Sequence, residues 1–146
     1  MPSHLHNNIP IPTQYTLHNC IRESVSSAKY LGVDISSDLS WDTHINRISK
    51  KANNTLGILR RTIKIHPESL KSSAYKVLVR PQWEYCPTVW CLFIDLNISK
   101  LEAIQRRAAR WVKHDYRQTS NVTEMMQSLH WRRLDQRRID NKLSYV

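Results

Sequence analysis

At 146 residues the chain is expected to form one domain with a modest core. A net charge of +10 and a pI near 9.9 favour a polyanionic partner, nucleic acid or an acidic membrane surface. Only two glycines, with 40% hydrophobic residues, argue against a disordered tail and exclude a glycine-rich phosphate loop. No apolar run reaches the ~20 residues of a membrane span. Met1-Pro2-Ser3-His4-Leu5-His6 has neither the basic nor the apolar region of a secretory signal, so an intracellular, non-secreted chain of nucleus or cytoplasm is expected.

Residues 1–14, with Pro2, Pro10 and Pro12, read as an irregular leader. Tyr15-Thr16-Leu17-His18-Asn19 is a short strand candidate. Val33 and Ile35 alternate with polar residues, so Tyr30–Ile35 reads as a second strand, and the two are expected to pair antiparallel as a hairpin within 15–38. Ser36-Ser37-Asp38 ends it, because short polar side chains bond their own backbone in turns.

From about Trp41 to Ile63 the period becomes helical: Ile45, Ile48, Ala52, Leu56, Leu59 and Ile63 form one stripe, with Ser40 or Asp42 as a candidate cap. Arg47, Lys50, Lys51, Asn54 and Arg61 fall roughly opposite, with Ile58 the misfit among them. Pro67 suits the first turn of a second helix with Leu70, Ala74, Val77 and Leu78 inward, and Pro81 is expected to end or kink it. Residues 83–93 read as a packed aromatic connector or the start of another helix. A third long helix over about 98–116 carries Leu101, Ile104, Ala108, Trp111 and Val112 inward, and Arg106, Arg110, Lys113 and Arg117 outward. Asn121 and Glu124 form a capping box for a short helix, and Trp131 to Leu143 reads as a last basic helix. The five tryptophans are assigned to the core. The expected fold is mostly α: a short N-terminal β-hairpin followed by a bundle of about four to five helices, α+β at most.

Candidate chemistry is sparse. Asp34, Asp38 and Asp42 lie across a strand, a turn and a helix start, so they are not expected to converge on metal ions. Cys86-x4-Cys91 and His18-x-Cys20 lack the paired spacing of a zinc site, and three cysteines form no disulfide framework. No catalytic residue, metal site or cofactor is therefore expected. The basic faces remain. From Arg47 to Arg80 stand nine cations against one acid, Glu68, whereas a generic solvated helix mixes signs. One-signed charge opposite an apolar stripe suits phosphate neutralisation.

Several segments occur together in order. They are Lys29-Tyr30-Leu31-Gly32-Val33-Asp34-Ile35, Leu39-Ser40-Trp41 with His44-Ile45, and Lys50-Lys51-Ala52-Asn53 with Leu56-Gly57 and Leu59-Arg60-Arg61. Tyr75-Lys76, Leu78-Val79-Arg80-Pro81-Gln82, Glu84-Tyr85 and Val89-Trp90 follow, then Lys100-Leu101-Glu102, Gln105-Arg106-Arg107-Ala108-Ala109-Arg110, Leu129, Trp131, Leu134 and Arg137-Arg138. The set resembles the reverse transcriptases of non-LTR, LINE-type (jockey-like) retrotransposons just after their catalytic palm.

The resemblance implies a fragment of an RNA-directed DNA polymerase without the palm, not an enzyme on its own; magnesium would belong to the full-length parent only. Residues 15–38 would be the end of the palm, with Tyr30, Leu31 and Gly32 like the primer grip. Residues 39–93 would be thumb-like helices and connector, and 94–146 a basic post-thumb region. Arg47, Lys50, Lys51, Asn54, Arg61, Arg106, Arg110 and Lys113 would meet template–primer phosphates without reading sequence. A palm in trans is a further implied partner; no membrane is. The alternatives are a basic protein-interaction module, or a non-functional remnant of a decayed element, in keeping with Met1 standing where the family would still run through the palm and Val146 falling inside an expected helix.

Overall fold

The computed structural model describes residues 15–85, 95–134 and 136–137. The leader over 1–14, the connector over 86–94 with Cys86, Trp90 and Cys91, and most of the last helix fall outside them.

The chain begins with two hairpins in place of the expected one. β1 (Tyr15–Leu17) pairs with β2 (Cys20–Arg22), and β3 (Ser27–Tyr30) with β4 (Val33–Ser36). Tyr30–Ile35 is therefore a hairpin turn, not one strand. Leu31 and Gly32 take φ of 47° and 84°, and His18 and Asn19 take 49° and 62°, the two-residue primed geometry that matches strand twist. Gly32 adopts this conformation freely, whereas Leu31 does so at a cost. A Cβ on Gly32 would meet only Tyr85 Cε1, at an ordinary 3.5 Å. Gly32→Ala is therefore expected to lose about 1–2 kcal/mol through the left-handed backbone alone, read as a lower urea midpoint at unchanged m-value.

Helix α1 runs Asp42–Thr62. Trp41 occupies its N-cap without a side-chain bond, so neither Ser40 nor Asp42 caps it; Asp38 instead accepts from the Ser40 N–H at 2.9 Å. Ile45, Ile48, Ala52, Leu56 and Leu59 are buried, as their spacing requires, and Ile63 packs partly against them. Helix α2 (Glu68–Ala74) passes into a π-helical turn (Tyr75–Val79) and then α3 (Pro81–Glu84). Pro67 is the N-cap of α2, not its first helical residue. The π turn, closed by Arg80 N–H to Tyr75 O at 3.0 Å, directly precedes Pro81, which has no N–H to offer. Helical structure resumes there instead of ending.

The buried face of this segment is Lys71, Tyr75, Val79 and Trp83, one position round from the expected one. Leu70, Val77 and Leu78 are exposed and Ala74 is only half-buried. The shift has two causes. Lys71 lies buried with its Nζ 6.0 Å from the centre of the Trp111 ring, and Tyr75 stacks on Trp131 at 4.2 Å. An aliphatic stem and a ring take the interior in place of three aliphatic residues.

Helix α4 (Asp95–Lys113) buries Leu101, Ile104, Ala108, Trp111 and Val112, again as spaced. It lies parallel to α1: Asp42 accepts from Asn97 at 3.1 Å, Asn46 from Lys100 at 3.0 Å and Asn53 from Arg107 at 2.9 Å. Parallel packing brings both C-terminal ends to the same pole. Helix α5 (Val122–Ser128) opens with the expected capping box, in which Asn121 accepts from Thr123 N–H and donates to Glu124, both at 3.0 Å. Trp41, Trp83, Trp111 and Trp131 all join the core.

Candidate nucleic-acid interface

The apolar stripe of α1 faces α3 and α4, so its opposite side faces water by geometry alone. Lys50, Lys51, Asn54 and Arg61 are exposed there, while exposed Arg60 lies on the α4 flank and exposed Lys64 follows the end of α1. No ion pair among the described residues takes Lys50, Lys51 or Arg61. Lys50, Asn54 and Arg61 keep to one line at steps of four and seven residues. The seam to α4 adds Lys100 and Arg107, which sequence periodicity missed because it treats each helix separately. Their contacts to Asn46 and Asn53 set them beside the α1 row.

The remaining expected residues divide. Arg106 is exposed on α4. Arg110 donates to the Arg117 carbonyl at 2.8 Å, and Lys113 pairs with Glu68 of α2 at 2.6 Å. Arg117 grips Asp115, which Arg117 and then Ser120 hold well below the usual carboxylate range. Arg110 and Lys113 thus anchor the end of α4.

Arg47 has a different task from Lys50 and Lys51. Its guanidinium binds the Asp34 carboxylate and donates to the Gly32 carbonyl at 2.6 Å. Tyr85 donates to the Leu31 carbonyl at 3.0 Å. Both carbonyls of the β3–β4 turn are held, which keeps Leu31 in its unfavourable conformation. Tyr30 and Leu31 are exposed at the tip, while Val33 and Ser36 are buried against the helices. His44, 2% exposed, completes the joint: its Nδ1 faces the Asp34 N–H at 3.3 Å and Arg47 Nη2 at 3.3 Å. Two donors at Nδ1 make it the acceptor and leave the neutral ring's proton on Nε2. Burial, then the Arg47 charge, lowers the His44 pKa despite Asp34. Burial pushes the Asp34 carboxyl up, but Arg47 and His44 reverse this and hold it below its ordinary value.

The three aspartates do not converge. Asp34 is engaged by Arg47, Asp38 by the Ser40 turn and Asp42 by Asn97. Among the described residues no group of three or more His, Cys, Asp or Glu is placed to hold a metal ion, so this set does not fit magnesium. No helix among them is long and apolar enough to cross a membrane.

These elements define a mostly α, basic module headed by two β-hairpins. No family model matches the chain, and no solved structure matches it. Its sequence is similar to part of two probable RNA-directed DNA polymerases from transposons. It is 30% identical over 91 residues, 60% of this chain, to the probable RNA-directed DNA polymerase from transposon X-element of Drosophila melanogaster. It is 24% identical over 104 residues, 69% of this chain, to that from transposon BS of the same organism. The matched regions are only 10% and 12% of those proteins' lengths.

Proposed function

We propose that this chain is the thumb and post-thumb part of a non-LTR retrotransposon reverse transcriptase and binds template–primer nucleic acid through phosphates. In this reading the β3–β4 turn is the primer-grip-like element, residues 39–93 the thumb-like helices and 94–146 the post-thumb region. Polymerase carboxylates and their magnesium belong to a palm outside these residues.

One observation carries the reading: exposed Lys50, Lys51 and Arg61 on α1, followed by exposed Lys64 just past its end, with no acid between Arg47 and Glu68. Cations without internal partners release counterions when they meet phosphates, so binding is expected to fall linearly as log salt rises. Lys50→Glu with Lys51→Glu should flatten that slope by about 2 and weaken binding to a DNA–RNA hybrid regardless of sequence. Fluorescence anisotropy across a salt series measures both; an unchanged slope would remove this face from the interface.

A second reading, a protein-docking module, is favoured by exposed Leu70, Val77 and Leu78 on the α2 segment. Apolar docking is largely insensitive to salt, so the same series separates the two.

A further inference from the structure

Where α1 and α4 end, an open cleft of about 640 Å³ lies between them. Its lining includes Arg60, Arg61 and Lys64 from α1 and the segment after it, and Trp111, His114 and Tyr116 from α4 and its continuation. None of its lining residues is acidic. The volume is in the range of small-ligand sites.

Three rings and three cations share this space in a definite order. The Arg60 guanidinium lies 5.7 Å from the centre of the Tyr116 ring, and His114 meets the same ring edge-on at 5.8 Å. Tyr116 is 49% exposed, so an aromatic surface remains open to the cleft. The Trp111 N–H is buried without a partner among the described residues. Cations at helix C-termini also balance the helix dipoles, but that role needs no exposed rings. Rings beside cations are the combination that holds a base and its phosphate together.

We propose that this cleft takes one unpaired nucleotide of a single-stranded overhang, its base against Tyr116 and His114 and its phosphate against Arg61 and Lys64. The proposal rests on the phosphate-binding reading of α1 and extends it from duplex backbone to unpaired base. It adds Tyr116, His114 and Lys64 to the interface and gives the α1 row a direction, with the unpaired strand leaving at the C-terminal pole.

The test compares a blunt DNA–RNA hybrid with the same hybrid carrying a short unpaired overhang, by fluorescence anisotropy on the full chain at fixed salt. The overhang is expected to tighten binding about tenfold. Tyr116→Ala should abolish that gain, read as the ratio of overhang to blunt-hybrid affinity within the same variant, while Tyr116→Phe keeps it. His114→Gly, which suits the left-handed backbone at that position (φ 54°), should lose part of the gain. Circular dichroism checks that each variant is folded. Blunt binding that is steeply salt-dependent but gains nothing from the overhang would overturn the cleft and leave the α1 face standing. Binding without salt dependence would overturn both. Adenosine monophosphate competing as well as the overhang strand would replace the strand reading with a mononucleotide pocket and so overturn it.

Discussion

Trp131→Ala is expected to cost about 3–5 kcal/mol, the loss typical of a large buried ring. Trp131 is 4% exposed and lies in the segment that follows α5, where its backbone N–H closes on the Met126 carbonyl at 2.8 Å. Its ring stacks on Tyr75, which in turn lies 6.0 Å from Trp83. Removing it opens the junction at which α5 meets the π-helical segment. The stack itself adds about 0.5–1.5 kcal/mol beyond area. Tyr75→Phe provides the contrast. The Tyr75 hydroxyl is buried with no partner among the described residues, and burial first of all lifts its pKa far above the ordinary range. Phenylalanine keeps the stack and removes the unpaired oxygen, so the variant should be neutral or more stable by about 1 kcal/mol. Urea unfolding followed by near-UV circular dichroism measures both. Equal destabilisation by the two substitutions would mean that the hydroxyl is bonded and that the ring stack is not the main support.

The long helices were legible because each carries an uninterrupted apolar stripe. Ile45 to Leu59 and Leu101 to Val112 are buried as the period of 3.6 demands. The Asn121 capping box was legible for the same local reason, since a side chain four residues or fewer away satisfies the helix end. The α2 segment was not. The buried face is already displaced at Lys71, before the π turn, and no spacing rule applied to Leu70, Val77 and Leu78 anticipates that Lys71 will lie under Trp111. The hairpin boundary was missed because Leu31 stands where a turn usually places asparagine or glycine. Helix ends were blurred in the same way: His114 and His130 take φ of 54° and 56°, positions where glycine is the usual signal. Of the candidate site, Lys50, Lys51, Asn54, Arg61 and Arg106 are exposed as expected. Arg47, Arg110 and Lys113 are engaged by partners distant in sequence or past the helix end, which a helical wheel cannot register.

Acid should loosen the joint between the β3–β4 hairpin and α1 in two stages. The His44 pKa in the folded chain lies below its ordinary 6.5, so the unfolded chain takes up the proton more readily. The stability gained by burying the neutral ring is complete above 6.5 and is lost as pH falls through that value toward the folded one. Protonation also turns Nδ1 from an acceptor into a donor facing the Asp34 N–H and the Arg47 guanidinium, a loss that the Asp34 carboxylate, 3.5 Å from Nδ1, offsets only in part. Asp34 is likewise depressed, so its contribution is present above 3.8 and is lost as pH falls through its folded value. Hydrogen exchange of the β3–β4 amides should therefore quicken relative to α4 amides as pH falls below 6.5, with a second loss as it falls below 3.8. His44→Gln should remove the first stage and leave the second. Arg47→Ala should cost about 1–2 kcal/mol, discounted for its partial exposure, and blunt the second. Protection of the hairpin that stays constant from neutral to acid pH would mean that His44 is not what couples it to the helix. The Leu31 turn would then owe its geometry to Arg47, Tyr85 and the strand pairing.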